Sequence, residues 1–307
     1  MFNYFLLIMN NIKNEFSIKD LENLSGIKAH TIRIWEKRYN LLHPNRTDTN
    51  IRNYDLENLQ KLLNVTFLNK NGYKISKISK LTEADITSHV NEIALKENTE
   101  NHAINSLKVA MLNFDQGLFY DTYNKLREEK SFKEIVYEVF MPFLAELGTL
   151  WQTDTISIAH EHFVSTLIKQ KILLNIEKIQ NKEHRDTSKT FVLYLPMNEI
   201  HDIGLLFTTY ELVSKGYHCI YLGPSVPITS LSALLNYHDN LNFVSYFTVK
   251  PEKDDVADYL KEFHDIILRS KKNELWILGR MLEHIDKSKL PKQIKAFSNI
   301  ESLIKQL

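Results

Sequence analysis

Along the first 180 residues of this chain the apolar positions recur at helical spacing. Beyond residue 190 they gather instead into short β-rich runs. Ser17-Ile18-Lys19-Asp20 reads as a helix N-cap with an acid at the third position, and Leu21 and Leu24 supply one apolar face. Ser25-Gly26-Ile27-Lys28 is a turn, and His30–Tyr39 follows with Ile32, Trp35 and Tyr39 on one stripe. Two short helices about a glycine-containing turn predict a helix-turn-helix. Asn40 falls where a positive backbone dihedral is expected, which asparagine tolerates. A basic polar stretch, Asn45–Asn53, leads to Tyr54 and to a helix over Asp55–Asn69 that buries Leu56, Leu59, Leu62, Leu63 and Phe67. Gly72 ends it, and Ile75 and Ile78 begin another turn. Residues 82–100 are polar and acidic and suit a linker or a surface helix. Helices over 103–113, 115–129, 131–150 and 157–180 then predict a four-helix bundle by length and spacing.

After a charged linker, Asn181–Lys189, the strand candidates are Phe191–Leu195, Cys219–Leu222, Phe243–Thr248, Leu275–Leu278 and, more weakly, Ile294–Phe297. Helical stretches at 203–215, 228–237 and 252–270 separate them, and a last helix runs through Leu303. That alternation predicts a parallel α/β sheet. Ligands of such sheets sit at the carboxyl ends of the strands, which directs attention to Pro196–Gly204. The expected division is an extension at 1–15 (with Met9 an alternative start), a helix-turn-helix domain at 16–82, a linker at 83–101, the bundle at 102–181 and the sheet domain at 188–307.

Composition changes this picture in one respect. Lys+Arg and Asp+Glu balance at 38 each, which at first argues against a nucleic-acid partner. Residues 16–80, however, hold 12 basic residues against 6 acidic ones, so the segment is +6 and the remainder −6. A single cysteine, Cys219, excludes an internal disulfide and points to a reducing, cytoplasmic compartment. The apolar start MFNYFLLIM lacks a basic region and a cleavage site and is too short to span a bilayer, so no membrane association is expected. Phosphate-binding glycine loops, zinc-protease motifs and paired cysteines are all missing from the sequence.

Thr31, Arg33, Lys37 and Arg38 project from the candidate recognition helix, where they could enter a major groove. Arg46, Thr47 and Arg52 lie on a loop suited to phosphate contact. On charge alone, a solvated helical face explains these residues equally well. The ordered set TIRIWEKRY-x-LL-x-P-x-R-T…R-x-Y, over residues 16–82, resembles the winged helix-turn-helix of MerR-type transcription regulators. Its RIWEKRY version resembles the branch that carries cobalamin-binding domains. By that resemblance Arg33, Arg38, Arg46, Arg52 and Tyr54 are DNA-contact candidates.

Glu199-Ile200-His201-Asp202-Ile203-Gly204 is the second constellation. A loop histidine can offer a neutral imidazole to a metal while a nearby carboxylate fixes its tautomer, and a glycine admits a bulky ligand close to the backbone. Taken alone, the same residues read as an ordinary surface pair. E-x-H-x-x-G after the first strand is similar to the cobalamin-binding domain of methionine synthase and its relatives. That similarity implies a flavodoxin-like (Rossmann-type) sheet, His201 as the lower axial ligand of cobalt and Glu199 as its partner. Trp151, followed by Glu161 and His162, resembles the cap of the light-responsive CarA/CarH/LitR-like regulators, where these residues cover the upper face of the corrin and its adenosyl group.

The chain departs from these families at three places. Ser245-Tyr246-Phe247 stands where S-x-L is usual, Gly279-Arg280 where a glycine pair is usual, and Gln152 where a histidine follows the cap tryptophan. The expectation is therefore a non-enzymatic, homo-oligomeric (dimeric or tetrameric) DNA-binding repressor that senses cobalamin, adenosylcobalamin in particular, with Ser245 and Gly279 lining the site. A regulator that has lost cobalamin and a corrinoid methyltransferase-type carrier are the alternatives.

Overall fold

Ser17 and Asp20 start the first helix as reciprocal caps. Ser17 Oγ accepts from the Asp20 backbone N–H at 3.2 Å, and Asp20 Oδ2 accepts from that of Ser17 at 2.8 Å. The computed structural model describes residues 15–46, 50–94, 99–152, 155–180, 186–238, 240–269 and 272–307. Two compact units make up the chain, Met1–Leu167 and Ile168–Leu307.

In the first unit, α1 (Ile18–Ser25) ends at Gly26 in the left-handed region. Next, α2 (Ala29–Tyr39) ends at Asn40, whose φ of 51° matches the expectation for that residue. A two-stranded wing follows, in which β1 (Asn45–Arg46) pairs antiparallel with β2 (Arg52–Asn53), and the bridge from Phe16 to Tyr54 ties the wing back to the start of the domain. Asp55 caps α3 (Leu56–Lys70), and α4 (Ile75–Ile78) closes the domain. Leu21, Leu24, Ile32, Trp35, Leu59 and Leu62 form its core.

The segment 83–101, read as a linker or surface helix, is mostly helix: α5 (Glu83–Ala94) buries Ile86 and Val90. An acidic polar sequence conceals this because, among the described side chains, the apolar positions that face inward are these two, one turn apart. The helices α6 (Thr99–Leu112), α7 (Gln116–Glu129), α8 (Phe132–Ile135), α9 (Met141–Gln152) and α10 (Ile158–Gln180) agree closely with the expected four. The expected helix over 131–150 contains a π turn, Val136–Phe140, where Phe140 stacks on Phe119 and Tyr123. The boundary between the units falls inside α10, not in the charged stretch near 181–189.

In the second unit, β3 (Asp186–Tyr194), β4 (Tyr217–Gly223), β5 (Leu241–Tyr246), β6 (Glu274–Leu278) and β7 (Ile294–Ala296) form one parallel sheet in the order β4-β3-β5-β6-β7. This is the flavodoxin-like winding, whose order reverses between β3 and β5. The connecting helices are α11 (Ile203–Ser214), α12 (Ile228–Leu231) continued by a 3-10 turn to Asn236, α13 (Val256–Ile267) and α14 (Ile300–Ile304). Buried strands such as Phe191–Leu195 carry no polar alternation because helices cover both faces of the sheet. Among the described residues no helix is long and apolar enough to cross a membrane. The extension at 1–14 lies outside the described residues.

Candidate functional site

The switch between β3 and β5 brings the loops that follow both strands together, and Glu199 joins them. Its Oε1 accepts from the Ile200 and His201 backbone N–H groups at 2.9 and 3.0 Å and faces His201 Nδ1 at 2.6 Å. Its Oε2 accepts from the Val249 and Lys250 N–H groups at 2.6 and 2.8 Å. Burial alone would raise the carboxyl pKa. The bonds from the His201 ring and from the Lys250, His201 and Val249 backbone groups outweigh it and hold the group at about 2. Glu199 is therefore a buried carboxylate whose two oxygens are both committed to donors.

A carboxylate at Nδ1 favours the tautomer with hydrogen on Nδ1, which leaves the lone pair on Nε2. The His201 side chain is 53% exposed. Around it, Met197, Ile200 and Val249 are large apolar residues that stay about half exposed, all from the two loops at the switch point. Such a patch suits the face of a flat, largely apolar ligand. Beside the loop, Asp202 forms an ion pair with Lys169 at 2.5 Å.

Two expected cradle residues serve other purposes. A Cβ on Gly204 would lie 2.8 Å from the Tyr246 ring, so the space beside this glycine holds a side chain of the protein itself. Gly279 has φ 113°, and a Cβ there would meet the Phe247 backbone oxygen at 2.4 Å. It is needed to let β6 turn across the end of β5. Arg280, next to it, is exposed, and Ser245 is fully buried. The exposed His201 imidazole and the apolar platform thus suit a corrin, whereas the space beside Gly204 and Gly279 is taken up by Tyr246 and by the Phe247 backbone. Cys219 lies on β4, where burial pushes its thiol up to about 12, so it is no nucleophile near neutral pH.

In the first unit, Arg33, Lys37 and Arg38 are exposed on α2, with Thr31 half-buried beside them. Arg46 is exposed on the wing and donates to Asn50 Oδ1 at 2.6 Å. Thr47 lies outside the described residues. Tyr54 needs a correction: it is fully buried, and its hydroxyl donates to Glu36 Oε2 at 2.9 Å, so it offers nothing to a phosphate. Burial first, and then that bond, push its phenol above the usual range. Arg52 Nε donates to both Glu36 oxygens at 3.0 and 3.1 Å. Glu36 therefore locks the recognition helix to the wing, a role no sequence signal indicated because its partners lie 16 and 18 residues away. Glu36→Ala should leave the Tyr54 hydroxyl buried without this acceptor and cost about 1–3 kcal/mol, read as a lower Tm. An unchanged Tm would refute the lock.

Glu161 and His162 open α10, where Glu161 Oε1 accepts from Ser165 Oγ at 2.5 Å and Oε2 faces His162 Nε2 at 3.5 Å. Trp151 lies in the last turn of α9, and its side chain, like that of Gln152, lies outside the described residues.

Residues 16–85 match the MerR HTH family of regulatory proteins, and residues 103–174, the span of α6 to α10, match the B12 binding domain. The protein is a MerR-type regulator with a B12-binding domain. This regulator is 27% identical over 272 residues to the HTH-type transcriptional repressor CarH of Myxococcus xanthus, a match covering 86% of this chain and 88% of that one. To the repressor CarA of the same organism the regulator is 22% identical over 223 residues, 70% of each chain. Among solved structures it resembles the monomethylamine corrinoid protein of Methanosarcina barkeri, with a TM-score of 0.56 at 12% identity over 67% of this chain and 96% of that one. That likeness is one of fold.

Proposed function

We propose that this regulator is a homo-oligomeric repressor whose operator binding depends on a cobalamin-type corrinoid carrying an adenosyl upper group, with light the stimulus that removes that group. The observation that carries this reading is the Glu199–His201 pair at the switch point of the sheet. His201 would hold the cobalt of the corrinoid through Nε2, and Glu199 would orient the imidazole. Cobalamin supplies a cobalt–carbon bond that light can break. The chain's own residues present the imidazole, fix its tautomer and offer an apolar seat. Trp151, Glu161 and His162 are proposed to contribute to cobalamin binding, in keeping with the B12-domain match over 103–174. Thr31, Arg33, Lys37, Arg38 and Arg46 are the proposed DNA contacts, with Arg52 holding the wing. One winged helix reads a half-site, so two copies on one operator bind far more tightly than one. The relatives named as repressors favour repression.

The test adds adenosylcobalamin to the purified protein in the dark. The visible spectrum, the oligomeric state and the DNA mobility shift are recorded before and after illumination. Retained cobalamin with a light-sensitive DNA shift is expected. Failure to retain any corrinoid would remove the sensor reading, and retention without DNA binding would favour a corrinoid carrier.

A further inference from the structure

We propose that Tyr246 is a specificity-determining residue that closes the space beside Gly204 to a bulky lower substituent, so that the site favours corrinoids lacking a nucleotide tail. This inference rests on the reading of His201 as the cobalt ligand.

Gly204 lies three residues after His201, in the first turn of α11. A Cβ added there would approach three atoms of the Tyr246 ring at 2.8, 3.1 and 3.2 Å, so the ring lies flush against the helix backbone. Thr208 donates to the Gly204 carbonyl at 2.8 Å, which commits its hydroxyl hydrogen. The Tyr246 hydroxyl, 2.9 Å from Thr208 Oγ1, is then the donor in that second bond. Contact along one edge of the ring, up to the carbon that bears the hydroxyl, and the hydrogen bond of that hydroxyl hold it in place. The second glycine of the region is no more open, since the Phe247 backbone already fills the side a Gly279 Cβ would occupy.

Cobalamin carries its nucleotide loop and base on the lower face of the corrin. When a protein histidine takes the lower axial position, the displaced base must be housed on that same side, within the domain that presents the histidine. Three residues after His201, the backbone of Gly204 carries no side chain, and Tyr246 already covers it. A tailed corrinoid can settle there only by displacing a hydrogen-bonded aromatic ring, whereas a tail-less cobinamide leaves the ring undisturbed. Forcing bulk into occupied space costs enough to weaken binding by roughly tenfold or more.

The experiment titrates the full-length protein with aquocobalamin and with diaquocobinamide, following the visible spectrum and retention on desalting. It compares the wild type with Tyr246→Ala and Tyr246→Phe. The wild type should bind the cobinamide about tenfold or more tightly than the cobalamin. Tyr246→Ala should bring that ratio close to one by strengthening cobalamin binding, and Tyr246→Phe, which keeps the bulk, should preserve most of the preference. A wild type that binds cobalamin at least as tightly as cobinamide overturns the proposal, and it does so even if the alanine variant fails to fold. An unchanged ratio in a folded alanine variant also overturns it. In both cases the cobalt-ligand reading survives, whereas failure of every variant to retain either corrinoid removes both.

Discussion

His201→Ala is expected to abolish the visible spectrum of an imidazole-ligated corrinoid and to leave only weakly retained cofactor. The more informative change is two residues away, at Glu199→Gln. Both oxygens of Glu199 accept hydrogen bonds, one from His201 and two backbone groups and the other from Val249 and Lys250. A glutamine offers one acceptor and one NH2 group, so whichever way it turns, the NH2 meets donors. Facing His201, it would drive the imidazole to the tautomer with hydrogen on Nε2 and remove the lone pair offered to cobalt. Loss of such a supporting partner typically lowers metal affinity about 10–100-fold. Titration of the spectrum with aquocobalamin measures the effect; glutamine at wild-type affinity would refute Glu199 as the positioning group.

The same carboxylate makes stability depend on pH. Its ordinary pKa of 4.5 falls to about 2 in the folded protein, so its contribution is fully present above pH 4.5 and is lost as the pH falls through about 2. That difference corresponds to about 3 kcal/mol. Denaturant unfolding of wild type and Glu199→Gln at pH 6 should differ by an amount of this order, and the gap should close toward pH 2. A constant gap would show that packing, not charge, accounts for it.

Replacing Arg33, Arg38 and Arg46 together by alanine should nearly eliminate operator binding. It should also flatten the dependence of affinity on salt, by about 0.9 in log–log slope for each DNA phosphate that the variant no longer neutralises. These side chains extend from the exposed face of α2 and from the wing, on a segment carrying +6. Tyr54→Phe is the control. Its hydroxyl serves Glu36 inside the domain, so it should lower stability and leave the salt slope unchanged. If the triple variant kept the wild-type slope, the DNA-facing surface would lie elsewhere; a changed slope in Tyr54→Phe would undo the reassignment of that residue.

Local features were legible in the sequence alone. The Ser17 cap, the left-handed Asn40, the helices of the first unit and the five strands all depend on residues within about one turn of each other, where propensity and periodicity act. The Glu199–His201 pair was legible for the same reason, since its members stand two residues apart. The π turn at Val136–Phe140 and the burial of α5 were not, because both depend on which neighbour packs against a sequence that is helical in either case.

The sequence by itself therefore determined the order of the domains, the sign of their charge and the residue types that could hold DNA or cobalt. Tertiary structure alone decided how those residues are used. It turned Tyr54 from a surface contact into a core residue held by Glu36, tied Glu199 to backbone groups fifty residues away, and set Tyr246 against Gly204. The physical reason is the range of the interactions. Caps and helical stripes form among neighbours in the chain, whereas burial, a second hydrogen-bond partner and the space beside a glycine exist only after distant segments have met.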